Sequence, residues 1–195
     1  DLMEEWDERK GARWLGIPLA SGHHSVIEHA CYTFSIEGVS RSLTHQLVRH
    51  RLASYSQMSQ RYVDMKNADY VVPRSISSDP VLEERYRALM EHIWEEYREL
   101  SRKVPVEDAR YVLPNACTTN ITVTMNAREL WHFFELRTCR RAQEEIREVA
   151  DQMLFLVREV SPLIFRNAGP PCISRGKCSE GKMSCGKPRK ELRAL

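Results

Sequence analysis

Arg49, His50 and Arg51 are followed, after seven residues, by Ser59 and then Arg61, in the run RHRLASYSQMSQRY. Guanidinium forks hold two phosphate oxygens at once and stay charged when water is excluded. Ser54, Tyr55, Ser56, Gln57 and Ser59, interleaved with them, supply the neutral hydrogen bonds that order a sugar or a base. The run therefore reads as a site for an anionic nucleotide. An isolated basic triplet would equally suit a solvated helix end, where cations complement the dipole, and it is the neighbouring hydroxyls that favour a ligand. Ser59 is better read as a phosphate or ribose partner than as a nucleophile, because no base with an orienting partner stands at readable spacing. The chain has neither G-x-G-x-x-G nor a P-loop lysine motif, so side chains must meet any phosphate.

These residues need elements to hold them. From Ala30 to Glu37 the chain alternates, with Ala30, Tyr32, Phe34 and Ile36 on one face, which predicts a half-buried strand. Ser40 can cap a helix carrying Leu43, Leu47 and Val48 inward, which sets Gln46 and Arg49 within one turn and the triplet at the helix end. A second strand is expected from Ser54 to Val63, and a short one from Tyr70 to Val72. Asp79-Pro80 starts a long amphipathic helix through Leu82, Tyr86, Leu89, Met90, Ile93, Tyr97 and Leu100. Pro105 opens a shorter helix with Glu107, Asp108 and Arg110, stopped near Pro114. Thr119 to Met125 alternates again, and Asn126 with Glu129 forms a capping box that starts a helix with Arg128, His132, Phe133 and Leu136. A last long helix carries Ala142, Ile146, Ala150, Met153, Val157 and Val160 to Ser161-Pro162. Strands and helices mix without a regular βαβ period, which predicts an α+β fold: a mixed, largely antiparallel sheet with flanking long helices, in a single domain.

At 195 residues the chain is long enough to bury about 70% of its unfolded surface without disulfide staples. With 29 Lys plus Arg against 27 Asp plus Glu the net charge is +2, so basic character is local and sequence-independent DNA binding is not expected. No run approaches the roughly 18 apolar residues of a membrane span, and the expected location is the cytoplasm. Asp1 stands where an initiator Met would, and Leu2 and Trp6 read as one side of a helix already under way, so a native N-terminal segment is expected to precede it. Cys31, Cys117 and Cys139 lie in the body and Cys172, Cys178 and Cys185 in a Gly- and Pro-rich tail. Three tail thiols without a nearby His or a fourth Cys leave tetrahedral zinc incomplete, so no metal is expected and the tail reads as flexible, its thiols reduced or occasionally linked.

The R-H-R-x7-S pattern is the signature of the flavin-dependent thymidylate synthases (thymidylate synthase complementing proteins), and the chain resembles that family beyond it. Gly22-His23, Ser25 and Glu28-His29 resemble the family's G-H-x-S-x-x-E-H segment, and Ala109-Arg110 to Leu113-Pro114 and Asn126-Ala127-Arg128 to Leu136-Arg137 resemble its second half. The resemblance implies a catalytic domain over residues 1–168, followed by a tail at 169–195 that has no family role. It implies methylation of dUMP to dTMP, with methylenetetrahydrofolate as one-carbon donor, FAD as cofactor, NADPH as reductant and tetrahydrofolate as product. By similarity Ser25, Arg49, His50, Arg51, Gln57, Asn126, Arg128 and His132 fall at flavin positions, and His23 near the flavin and folate pocket. Gln46, Leu47, Val48, Arg49, Gln57, Met58, Ser59, Gln60, Arg61, Arg110 and Arg137 fall at nucleotide positions, with Arg137 the catalytic residue facing the uracil ring. The family also implies a homotetramer with active sites at subunit interfaces, where Arg110 and Arg137 serve a neighbour's Arg49 and Ser59.

Taken singly, several of these residues have plainer readings. Asn126 is a good helix cap, His132 beside Phe133 and Phe134 suits a core or interface, Arg128 and Arg137 could pair with Glu129 or Glu135, and Arg110 could bridge to Glu107. His24, His29 and His45 read as structural and Arg140-Arg141 as a solvated pair. Two other functions remain open: a flavin reductase indifferent to dUMP, and a nucleotide- or RNA-binding module in which Tyr55 and Tyr62 stack beside the arginines. A synthase using an activated cysteine is disfavoured, since Cys31, Cys117 and Cys139 have no recognisable activating neighbourhood.

Overall fold

The computed structural model describes residues 7–193, so the helical reading of Leu2 and Trp6 lies outside the described residues. In chain order the elements are α1 (Glu8–Ala20), β1 (Cys31–Ser40), α2 (Arg41–Leu47), β2 (Ala53–Gln57), α3 (Arg74–Ser77), α4 (Pro80–Leu100), α5 (Val106–Ala109), β3 (Thr118–Asn126), α6 (Ala127–Arg137), α7 (Glu144–Val160), α8 (Pro162–Phe165) and α9 (Pro171–Ser174), with 3-10 turns between some of them. The strands form an antiparallel sheet in the order β1-β3-β2, and the fold is α+β. Two compact units are distinguished: Asp1–Phe34 with His50–Ser54 and Thr124–Leu195, and Ser35–Arg49 with Tyr55–Val123.

β1 follows its alternation as far as buried Ile36, and then shifts phase so that Val39 and Ser40 are buried instead. The shift occurs at Gly38, whose φ of +68° is accessible to glycine without a steric penalty and whose N–H donates to Asn120 Oδ1 at 3.0 Å. Ser40 then caps α2, its Oγ accepting the Leu43 N–H at 3.0 Å, as the sequence predicts. β2 is shorter than expected and ends at Gln57. The chain turns at once, with the Val63 N–H on the Ser59 carbonyl at 3.0 Å and the Arg61 N–H on Ser59 Oγ at 3.2 Å, and these bonds divert the backbone from a ladder. The expected strand at Tyr70–Val72 is reduced to a single antiparallel bridge between Tyr70 and Cys117.

In the second unit α4 is capped by Asp79, whose Oδ1 accepts from Val81 and Leu82, with Pro80 in the first turn. It buries Met90, Trp94 and Tyr97 on one stripe, while Leu82 and Leu89, assigned inward from the sequence, are exposed. Trp94 Nε1 donates to the Met65 carbonyl and the Tyr97 hydroxyl accepts the Met65 N–H, both at 3.1 Å, which ties the loop after the signature run to the helix. In the first unit α6 and α7 bury Leu130, Phe133, Phe134, Ile146, Ala150, Met153, Leu154 and Val157. Phe165 packs edge-on to both Phe134 and Tyr32. Val160, predicted to continue the inward register of α7, is 71% exposed, because the helix ends there at Ser161.

The tail is not flexible chain. Arg175 makes a two-pronged pair with Glu135 at 2.9 and 2.7 Å, Arg189 another with Asp151 at 3.1 and 2.9 Å, and Leu192 is 2% exposed. Buried Arg158 donates to the carbonyls of Phe165, Leu192 and Ala168 at 3.2, 2.6 and 2.8 Å. Low hydropathy hides this anchoring in the sequence, because the contacts are made by charged side chains.

Candidate functional site

Within the second unit, α2 and the turn after β2 display the nucleotide-type residues. Arg49 and Arg61 are exposed, and Gln46, Gln57, Ser59 and Arg110 half-buried. The Gln57 amide nitrogen donates to Thr44 Oγ1 at 3.0 Å and Thr119 Oγ1 at 3.4 Å, which fixes the side chain against β3. Ser59 Oγ accepts the Arg61 N–H and keeps its own hydrogen to donate. Arg61 lies 5.3 Å from the Tyr62 ring. Arg110 donates to the Glu107 backbone carbonyl at 3.1 Å, where the sequence offered the Glu107 carboxylate. Leu47 is fully buried, with its carbonyl accepting the Tyr55 hydroxyl at 2.8 Å. Val48 is 38% exposed, Met58 half-buried, and Gln60 buried with its amide on Cys117 Sγ at 3.5 Å.

Sequence reasoning passed over Arg41. It lies in the first turn of α2, donates to the Met58 carbonyl at 3.5 Å, and has its pKa lowered by burial and by the charge of Arg110, against the opposing influence of Cys117. An arginine at a helix N-terminus opposes the dipole, and that mismatch was the available signal. Cys117 beside it has its pKa pushed up by burial, the opposite of an activated thiolate.

Within the first unit, His23, Ser25, Arg51 and His132 are exposed, so His132 is not the core residue that its aromatic neighbours suggest. Arg128 pairs across to Glu28, not to Glu129. Asn126 does cap α6, its Oδ1 accepting the Glu129 N–H at 2.9 Å. His24 stacks at a tilt on Trp131 with ring centroids 5.3 Å apart, in line with its structural reading, and His29 is exposed. Arg140 pairs with Glu191 at 2.6 Å and Arg141 with Glu180 at 3.5 Å, so both serve the tail and are not merely solvated.

His50 is only 5% exposed, with its ring edge-on to Phe133 at 5.0 Å and to His132 at 5.8 Å. Its Nε2 accepts the Arg137 Nε–H at 3.1 Å, and its Nδ1 lies 3.4 Å from Glu129 Oε1. Burial, then the charges of Arg137 and His132, lower its pKa from 6.5 to about 4, so the imidazole is neutral. Burial also lowers the Arg137 pKa, and it raises that of Glu129 against the opposing charge of His132. Neither His50 nor Arg137 makes the contacts a surface triplet would: the middle residue of R-H-R is buried and holds an arginine from α6.

The tail encloses a cavity of about 120 Å³ whose lining includes Cys172, Cys178 and Cys185 and also Cys139, the fourth thiol that the sequence spacing does not reveal. All six cysteines are free, and among the described residues no three His, Cys, Asp or Glu side chains are gathered to hold a metal ion.

A family model described as thymidylate synthase complementing protein matches residues 1–163. A protein of Geobacter sulfurreducens named flavin-dependent thymidylate synthase is 55% identical over 190 residues, covering 96% of this chain and 82% of the relative. Similar proteins of the same name occur in Pyrococcus furiosus, at 51% identity over 92% of this chain and 78% of the relative, and in Nitratidesulfovibrio vulgaris, at 48% over 95% and 80%.

Proposed function

The chain belongs to the thymidylate synthase complementing protein family and is an enzyme of it, and from that premise we propose that it methylates dUMP to dTMP, with methylenetetrahydrofolate as one-carbon donor, FAD as resident cofactor and NADPH as reductant. The observation that carries this reading is the contact between buried, neutral His50 of the signature and Arg137 of α6. It sets the residue proposed to face the uracil on a fixed support.

The donor set suits a flavin dinucleotide. Ser25, Arg51 and His132 are exposed in the first unit and offer a hydroxyl, a guanidinium and an imidazole for a pyrophosphate and ribose, with Arg128 exposed beside Glu28; in the second unit Arg49 offers a guanidinium and Gln57 its amide carbonyl. Asn126, already a cap, and His50, buried, would support such a group more than clasp it. FAD, when bound and reduced, supplies the hydride that completes the methyl group. The protein binds and orients. Arg61, Arg110, Ser59 and Gln46 would hold the phosphate and sugar of dUMP, while buried Leu47 and Gln60 would meet it only through backbone, as would Val48 and Met58. Arg137 keeps Nε on His50 and turns the other edge of its fork to the pyrimidine carbonyls, where it stabilises negative charge as the ring is activated. His23 would line the folate side.

Large apolar groups beside the site residues support completion by neighbouring copies in a homotetramer: Leu52, Tyr62 and Tyr111 are 75%, 79% and 83% exposed and follow Arg51, Arg61 and Arg110 directly. Residues 1–168 form the catalytic part in this reading, and the setting is the cytoplasm. No helix among the described residues is long and apolar enough to cross a membrane.

Flavin absorbance and NADPH oxidation test the reading together. Protein loaded with FAD is expected to oxidise NADPH faster when dUMP is added. Oxidation indifferent to dUMP would mark a reductase, and salt-sensitive oligonucleotide binding without any flavin would mark a binding module.

A further inference from the structure

Arginine has no hydrogen-bond acceptor, so the 3.1 Å contact between Arg137 Nε and His50 Nε2 requires a bare Nε2. The proton of a neutral imidazole then sits on Nδ1, and Nδ1 faces Glu129 Oε1 at 3.4 Å. In the other tautomer two N–H groups would point at each other between His50 and Arg137. Glu129, Phe133 and Arg137 recur every four residues on α6, so one helix face presents carboxylate, ring and guanidinium to the same imidazole. Phe133 fixes the plane of that imidazole from its edge. A carboxylate only 7% exposed is costly to keep, and the cap bond from the Glu129 backbone N–H to Asn126 Oδ1 does not require it.

We propose that Glu129 is a positioning residue for Arg137: it holds the proton of His50 on Nδ1, so that Nε2 remains the acceptor that orients the guanidinium. The inference rests on the reading of Arg137 as the residue facing uracil, but the tautomer itself does not. Glu129 acts through His50 and touches no substrate.

The test uses full-length, FAD-loaded protein carrying Glu129→Met, which keeps length and removes the acceptor, beside Glu129→Gln, which keeps an acceptor. Glu129→Met is expected to lower kcat by roughly 10- to 100-fold, the scale seen where partners that orient a functional ligand are removed, with dUMP KM and FAD affinity nearly unchanged. Glu129→Gln regains most of the loss. A Glu129→Met enzyme as fast as the parent would overturn the proposal, as would a loss of FAD binding in step with turnover, or a Gln variant as impaired as Met. Nitrogen NMR of the histidines, with His50 assigned by its disappearance in His50→Gln, reads the proton directly. The parent should carry it on Nδ1, and Glu129→Met should move it at least partly to Nε2. A parent proton on Nε2, or no change in the variant, overturns the inference whether or not any variant folds poorly. If the parent carries the proton on Nδ1 but makes no dTMP, the functional reading fails and the tautomer assignment stands.

Discussion

Arginines in two regions of this molecule face opposite fates. In the C-terminal segment Arg158 and Arg189 are 7% and 9% exposed; Arg158 grips three backbone carbonyls, and Arg189 holds the Thr138 carbonyl and both oxygens of Asp151. In the signature Arg49 and Arg51 are exposed, and neither is paired with another described residue. The first kind closes a fold by satisfying carbonyls at or just past the ends of helical turns. The second kind leaves its donors exposed, as the proposed nucleotide and flavin reading requires. Between them stands Arg137, half-buried, with its Nε–H on His50. Composition cannot distinguish these classes, since the three differ only in what their forks touch.

That contrast can be broken in order of expected size. Arg158→Ala removes three charge-assisted bonds, including those to the Leu192 and Ala168 carbonyls, which should cost about 4 kcal/mol in denaturant unfolding while turnover per folded molecule is kept. An unchanged midpoint would remove Arg158 from the structural class. Arg137→Ala should do the reverse, lowering turnover by roughly 100- to 1,000-fold with little loss of flavin or stability. Near-parental turnover at saturating dUMP would end its catalytic assignment.

Next comes pH. The folded pKa of His50, about 4, lies below its ordinary 6.5, so the unfolded chain takes the proton more readily. The stability this contributes is full above about pH 6.5 and is lost as pH falls through the window to about 4, with a ceiling of about 3 kcal/mol. Stability measured across that window should therefore fall more steeply for the parent than for His50→Gln; parallel curves would contradict a buried neutral imidazole. Smallest is Arg61→Ala, which should raise the dUMP needed by roughly tenfold and leave kcat alone, the pattern of lost ground-state binding. Unchanged dUMP affinity would take Arg61 out of the phosphate site.

Local chemistry made much of this legible in advance. β1, α2, α4, β3 and α6 follow from alternation and from caps at Ser40, Asp79 and Asn126, each of which forms the bond its type predicts. The missed features are non-local. The end of β2 depends on a turn organised by the Ser59 hydroxyl, and the anchoring of the tail depends on partners 38 to 40 residues away, such as Asp151 for Arg189 and Glu135 for Arg175. At the candidate site the residue types were readable, but the burial of His50 was not. Placing a histidine between two arginines reads as surface until α6 supplies the Phe133 ring and the Glu129 carboxylate against it.

The central claim is that exposed signature arginines hold a nucleotide and a flavin for methyl transfer without an enzyme thiol. Its most direct test is anaerobic chromatography of the products formed from dUMP, methylenetetrahydrofolate, NADPH and FAD, with the folate identified in the same run. The account predicts dTMP together with tetrahydrofolate. Dihydrofolate in its place, or no dTMP from folded protein that holds FAD, would contradict it.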